Sequence, residues 1–239
     1  METISYCVLA KSIPEYSKRD GTIFTCSVGY SQQKGLIRIY PLPIKSMNKW
    51  EIWQIPIEKN KQDSRNESWK LASYSRKEDF IGLDRDAKKI GFDINRISLE
   101  CLKKYSYPSI SFMNEKRLSV GFIKLNEYNL YWDDNERHID TKQIGLFEDV
   151  EIASFTSYTK ETKQKKAMIK FKDADGFHNI QYNNWGIYEY QRKFKADSGA
   201  FRFVNGKGVK YILLGNMNGH RNIWIGLEIF KLNYQYKLF

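Results

Sequence analysis

Arg38 and Tyr40 stand two residues apart in the segment Ile37-Arg38-Ile39-Tyr40-Pro41. In an extended strand that spacing puts both on one face, with Ile37 and Ile39 on the other. A guanidinium beside an aromatic ring on a barrel surface can pair with a phosphate and give a base a face to stack on. The plainer reading is an amphipathic strand whose polar face meets water. Lys49 and Trp50, a little further on, join the same candidate set. A second group, Asp63-Ser64-Arg65-Asn66-Glu67-Ser68, lies in a polar stretch. Asp63 and Glu67 are candidate divalent-metal ligands of the kind a nuclease uses. Arg65 between them more naturally forms charge-assisted bonds to both carboxylates. The expectation is therefore an ion-pair network that orders the loop, with a ligand contact by Arg65 next and a metal site last.

Two further groups are basic or glycine-flanked. Lys160, Lys163, Lys165, Lys166, Lys170 and Lys172 crowd a short run that holds only Glu161 in opposition. Lysine is a mobile point charge, suited to phosphate contact without sequence preference. A lysine-rich edge strand is equally a guard against aggregation. In Gly215-Asn216-Met217-Asn218-Gly219-His220-Arg221, two glycines bracket polar residues in a loop that can approach a ligand closely. His220 is the best placed of the three histidines for acid–base work, although no serine or cysteine motif points to it. His138 and His178 read as structural or exposed. Glu161-Thr162-Lys163 matches a fragment common in nucleases, a match that is nearly free in a chain this rich in Glu and Lys. Phosphate-loop, dinucleotide-binding, zinc-protease and nucleophile-elbow patterns are absent.

Charge and composition narrow the partners. The net charge is +11, and residues 1–150 hold 24 Lys and Arg against 21 Asp and Glu, while residues 151–239 hold 15 against 7. Positive charge concentrated on part of a chain attracts polyanions, nucleic acid foremost; a solvated basic face that only aids solubility is the next reading, and an acidic membrane or protein the last. The apolar runs are far shorter than the ~18 residues that span a bilayer. The start Met1-Glu2-Thr3 lacks the basic region of a signal peptide. Cys7, Cys26 and Cys101 are too widely spaced for a zinc site and odd in number for a disulfide framework. Cys7 and Cys26 read as buried thiols. The expectation is a cytoplasmic protein with no cofactor and no membrane contact.

The elements that position these residues are mostly strands. Aromatics make up 15% of the chain, and Tyr and Phe favour β-structure. Patterning predicts strands over 3–10, 22–29 and 36–42, a hairpin loop over 30–35, and an edge strand over 50–58 around Pro56. Residues 59–79 read as an extended polar loop and 84–105 as a helix capped by Asp93, with Pro108 stopping anything helical. A strand over 118–125 and an acidic turn at 133–136 follow. The second half predicts a hairpin of 166–172 with 177–182, a short helix over 185–194, strands over 199–204, 209–215 and 222–230, and a loop over 216–221. Short strands without regular βαβ alternation imply a mainly β, β-rich α+β protein: two small antiparallel barrels of oligonucleotide-binding type with short helical insertions. The expected division is 1–140 and 141–239, with the boundary between residues 125 and 165.

The order of several short pieces resembles a known family. These are Pro14-Glu15-Tyr16-Ser17, Thr25-Cys26-Ser27-Val28-Gly29, Ile37-Arg38-Ile39-Tyr40-Pro41, Lys49-Trp50-Glu51-Ile52 and Asp63 to Ser68, then Phe171-Lys172-Asp173, Trp185-Gly186-Ile187-Tyr188, Leu213-Leu214-Gly215-Asn216 and Ile223 to Phe230. Together they are similar to a bacterial, largely uncharacterised family described as a dual oligonucleotide-binding-fold domain. The resemblance implies a nucleic-acid binder of mobile elements or anti-phage defence loci. It brings no catalytic residues with it. The lysine-rich tract before Phe171 and Asn216 after Gly215 depart from the pattern. The first reading is thus a nucleic-acid-binding accessory or sensing protein, with a protein partner in a larger complex also in view. A metal-dependent nuclease using Asp63 and Glu67, and an interaction scaffold, are its rivals.

Overall fold

The computed structural model describes residues 1–17, 22–43, 46–72, 74, 86–92, 96–133, 165–194, 197–202, 204 and 207–232. The first barrel is built from β1 (Glu2–Lys11), β3 (Thr22–Ser31), β4 (Gly35–Pro43), β5 (Glu51–Lys59) and β6 (Ser68–Leu71), with the short β2 (Glu15–Ser17) paired to β3 and β7 (Lys88–Phe92) paired to β5. Its hydrogen-bonded order is β1-β3-β4-β6-β5 and back to β1, with β4 and β6 parallel. Closure depends on β1 serving two neighbours. Its first half pairs with β5, from Glu2 opposite Ile57 to Cys7 opposite Ile52. Its second half pairs with β3, from Cys7 opposite Tyr30 to Lys11 opposite Ser27. A bulge between Val8 and Ala10 lies within that second half, and bulges bend and twist a strand. At the crossing, a Cβ on Gly29 would stand 2.3 Å from the Cys7 carbonyl oxygen and 2.5 Å from the Tyr6 ring, so only glycine fits.

Alternation sorts the side chains. Ile4, Tyr6, Val8, Ile37, Ile39, Leu42, Ile55, Ile57 and Leu71 fill the first barrel. At roughly 1.5–3 kcal/mol per buried large aliphatic or aromatic side chain, this set dominates its stability.

The second barrel repeats the plan. Its leading strand is interrupted at Asn126–Glu127 into β9 (Val120–Leu125) and β10 (Tyr128–Asp133). With it go β11 (Lys166–Lys172), β12 (Phe177–Gln181), β13 (Val209–Met217) and β14 (His220–Leu232). β9 pairs with β13 and β10 with β11, so the leading strand again serves two neighbours. β11 pairs with β12, β13 pairs with β14, and a parallel bridge from Tyr182 to Gly226 joins the two sheets. The order matches the first barrel strand for strand, including the parallel contact between third and fifth. This is the five-stranded oligonucleotide-binding architecture twice over. Four helices accompany the described strands: α1 (Arg96–Tyr105), α2 (Ile110–Glu115), α3 (Trp185–Phe194) and α4 (Asp197–Ala200), with a two-residue strand, β8 (Ser106–Tyr107), between the first two.

An apolar seam joins the barrels. Cys7, Leu9, Val28 and Leu36 of the first meet Phe122, Leu213, Leu227 and Phe230 of the second, with Cys101 and Leu102 of α1 between them. A seam this apolar holds paired barrels in one arrangement, whereas polar interfaces leave domains free to move.

Several expectations are corrected. Segment 50–58 is no edge strand, because β5 has β1 on one side and β6 and β7 on the other. Pro56 is tolerated because it falls where β7 has ended and β6 has not begun, and its carbonyl accepts from Ala72 N at 3.0 Å. The polar loop over 59–79 contains β6, which closes the barrel. Within 84–105, Lys88–Phe92 is a strand between the helical Asp86 and the helix Arg96–Tyr105, while Asp93 lies outside the described residues. Helix resumes just after Pro108, because Ser109 caps α2 by accepting from Phe112 N at 3.2 Å. Segment 199–204 ends a helix and turns instead of forming a strand. β11 is flanked by β10 and β12, so its lysines do not guard an edge. Strand pairing joins β9 and β10, residues 120–133, to the C-terminal strands.

Candidate nucleic-acid interface

The outer face of β3 and β4 is the floor of a cleft of about 940 Å³ between the barrels. Since Ile37 and Ile39 point into the barrel, Arg38 and Tyr40 must point out, and both line this floor with Cys26 and Val28. The loop from β5 to β6 supplies one wall, through Lys59 to Asp63. Gln181 at the end of β12, Asn183 after it and the β13–β14 hairpin supply the other. Five cationic side chains (Arg38, Lys59, Lys61, Arg65, Lys70) face two carboxylates (Glu58, Asp63) along the lining.

The wall is held by a network in which Arg65 bonds Asp63 as expected, while Glu67, also expected to pair with Arg65, bonds Ser119 instead. Asp63 accepts from Arg65 Nε at 2.8 and 3.0 Å, from Arg65 Nη2 at 2.5 Å, and from Ser68 Oγ at 2.5 Å. Burial on its own raises the pKa of the Asp63 carboxyl, but the bonds from Arg65 and Ser68 outweigh it and leave the group below its ordinary value. Arg65 Nη1 then crosses to the Asn216 carbonyl at 2.6 Å. Glu67 turns to the second barrel as well, accepting from Ser119 Oγ at 2.7 Å and Ser119 N at 3.3 Å. Arg221 returns the contact by donating to Ser64 O at 3.2 Å. Asp63 and Glu67 are thus committed to the wall and to the seam between barrels. Among the described residues no group of three or more His, Cys, Asp or Glu gathers as a metal site would.

Arg38 is 4% exposed, and its Nη2 donates to the Ser119 carbonyl, which also accepts from Asn216 N at 3.0 Å. A Cβ on residue 215 would lie 2.5 Å from Arg38 Nη2, so Gly215 is what lets the guanidinium in. Burial lowers the Arg38 pKa to about 10, which leaves it charged at neutral pH. Arg38 therefore adds positive potential beneath the floor while its Nη2 braces the second barrel. Tyr40 is half-buried on the cleft surface. Lys59 lies 4.0 Å over the Trp69 ring and donates to the Asn66 carbonyl, and burial lowers its pKa. Lys70 pairs with Glu58 at 2.8 Å. Lys61 is exposed at the rim.

The remaining candidates divide. Lys49 and Trp50 belong to the seam: Lys49 Nζ is 2.6 Å from Glu228 and 5.0 Å from the Trp50 ring, and Trp50 meets Phe230 edge-on at 5.5 Å. Their cation–ring pairing is real, but both partners are turned to Glu228 and Phe230 of the second barrel. Lys163 lies outside the described residues, as does His138. Lys165 and Lys166 are half-buried, whereas Lys170 and Lys172 are exposed on the outer face of β11. His220 and Arg221 are exposed at the start of β14. His178 is half-buried with Nε2 2.9 Å from Asp173. Cys7 is buried as expected, whereas Cys26 is only half-buried and faces the cleft. In the seam, burial pushes the Cys101 thiol well above its ordinary pKa.

Sequence reasoning missed Lys59, Lys61, Lys70, Gln181 and Asn183 at the cleft, and the exposed ring of Phe177 beside Lys170 and Lys172. For Phe177 a signal existed, since alternation along the hairpin puts it on the lysine face. For the others there was none, because they converge only when the barrels pack.

Residues 2–88, which contain β1 to β6, match a family described as Domain of unknown function (DUF8758). No curated protein matches the chain. Among solved structures, a tetrameric p202 HIN2 aligns over 97% of this chain and 92% of its own at 6% identity and a TM-score of 0.30. A murine DNA-binding protein bound with double-stranded DNA aligns over 97% and 100% at 8% identity and a TM-score of 0.35. A replication protein A heterotrimer bound to single-stranded DNA aligns over 91% and 44% at 10% identity and a TM-score of 0.30. At such scores these alignments carry no argument about what the chain binds. No helix among the described residues is long and apolar enough to cross a membrane.

Proposed function

We propose that this protein binds nucleic acid in the cleft between its barrels. One observation carries the reading. The outer face of β3 and β4, with the loop between fourth and fifth strands, is where oligonucleotide-binding barrels hold their ligands. Here that face is concave, lined by Tyr40, with Lys59 and Lys61 on its wall and the charge of Arg38 beneath its floor, and its lining holds five cations against two carboxylates. Phosphates supply the complementary charge and an aromatic ring supplies the stacking surface. The seam presets the cleft, so little ordering opposes binding.

The resemblance in motif order supports a finer proposal: an accessory or sensing subunit of a bacterial mobile element or anti-phage system, working with a protein partner. Cys7, Cys26 and Cys101 form no disulfide, which suits the reducing cytoplasm as its compartment.

The test is direct. Fluorescence anisotropy with labelled single- and double-stranded oligonucleotides should show binding at about 50 mM salt that weakens steeply by about 200 mM, because phosphate contacts release counterions. Absence of binding to every oligonucleotide at the lower salt overturns the reading.

A further inference from the structure

The cleft does not end at its wall. Gln181, which lines it, is the last residue of β12 and lies opposite Met168 of β11. Both point outward, because Ile169, Phe171 and their neighbours fill the barrel. Two residues along the same face, Lys170 is opposite Asn179, and two further on, Lys172 is opposite Phe177. On the other flank Tyr131 is opposite Met168, and its hydroxyl donates to Asn179 Oδ1 at 2.9 Å. From the cleft, therefore, one outward sheet face leads past Gln181 to a pair of lysines and an exposed ring.

A single exposed Phe needs no explanation. Phe177 differs in its setting: it is 60% exposed, both Lys170 Nζ and Lys172 Nζ stand 5.4 Å from its ring centroid, and it shares a face with a cleft residue. Its support is firm, since the central strand β11 is bonded on both sides. Bases inside a duplex already stack on one another, so an open ring on a sheet surface is available only to an unpaired base.

We infer that the ligand is an unpaired strand that continues from the cleft past Gln181 onto the outer face of β10 to β12, where Phe177 and Tyr131 stack its bases and Lys170 and Lys172 meet its phosphates. This rests on the cleft reading and adds strandedness and path to it. The two barrels then act on one strand as linked sites, so affinity depends on whether the strand is long enough to reach both.

The experiment is an anisotropy titration at about 50 mM salt. It uses labelled oligo(dT) and oligo(U) of about 4, 8, 16 and 32 nucleotides, bracketing the range that one such barrel covers, beside a blunt duplex. Affinity should climb steeply once a strand outgrows the cleft. Phe177→Ala should weaken the long strands about tenfold, one base's worth of stacking, and leave the shortest unchanged. Phe177→Trp should restore the long-strand affinity. Affinity that is flat with length, indifference to Phe177→Ala, or preference for the duplex overturns the inference while cleft binding stands. Failure of every nucleic acid to bind overturns both.

Discussion

Arg65 joins the two barrels through one side chain: Nη1 donates to the Asn216 carbonyl at 2.6 Å while Nε and Nη2 grip Asp63. One guanidinium therefore ties the wall of the cleft to the hairpin opposite it, beside the Glu67–Ser119 and Arg221–Ser64 contacts. The Arg65 side chain is 9% exposed and that of Asp63 5%. Arg65→Ala leaves a buried carboxylate without its partner. We expect a loss of about 3–5 kcal/mol in urea unfolding, the usual cost of breaking a buried pair on one side. A loss of less than about 1 kcal/mol would show that the pair is not what holds the wall.

The same network predicts a pH dependence. The folded Asp63 carboxyl lies below its ordinary value. Its contribution is fully present above the unfolded pKa of about 3.9 and is lost as pH falls through the folded value. Stability measured by urea midpoint should therefore decline below about pH 4, and the acid limb should be shallower in Asp63→Asn.

Barrel closure has its own test. Gly29→Ala puts a methyl 2.3 Å from the Cys7 carbonyl oxygen, a backbone atom that cannot swing away. Thermal unfolding should reveal a destabilisation of about 1–3 kcal/mol or more, the range for overpacking. Unchanged stability would mean that the β1–β3 crossing relaxes at no cost.

At the cleft, Tyr40→Ala should weaken oligonucleotide binding by about 1–3 kcal/mol if the ring stacks a base. Lys61→Glu, a change at the exposed rim, should weaken binding and flatten its salt dependence. Both variants should keep the wild-type melting temperature. Wild-type affinity in both would place the ligand elsewhere.

Lys170 and Lys172 predict a slope. Each phosphate contact removed lowers the dependence of log affinity on log salt by about 0.7 on a single strand. Changing both lysines to Gln should reduce the slope by about 1.4 on long strands. An unchanged slope would assign these lysines to solvation alone.

Local patterning made much of the fold legible. β1, β3, β4, β9, β12, β13 and β14 are apolar, β-rich runs bounded by polar or turn residues, β11 alternates with period two, and α3 shows helical spacing. The misses share a cause. β6 is four residues long and has a parallel partner remote in sequence, so nothing in Ser-Trp-Lys-Leu announces a strand. β7 and α1 abut within one stretch, and their patterns merged. Lys49 and Trp50 looked like a binding pair because a cation beside a ring reads alike in a seam and at a surface. Arg38 was placed on the correct face, but residues 119 and 215, which cover it, are distant in the chain.

What the sequence by itself determined is most of the longer strands, the Arg65–Asp63 pair and the excess of positive charge, because each follows from neighbours within a few residues. Only the tertiary structure decided which outward residues meet a ligand and which meet the other barrel. Both kinds are polar or aromatic and both alternate with core positions. They part company only when long-range pairing buries Arg38 and packs Trp50 against Phe230 of the other barrel, and leaves Tyr40 lining the cleft and Lys61 and Phe177 exposed.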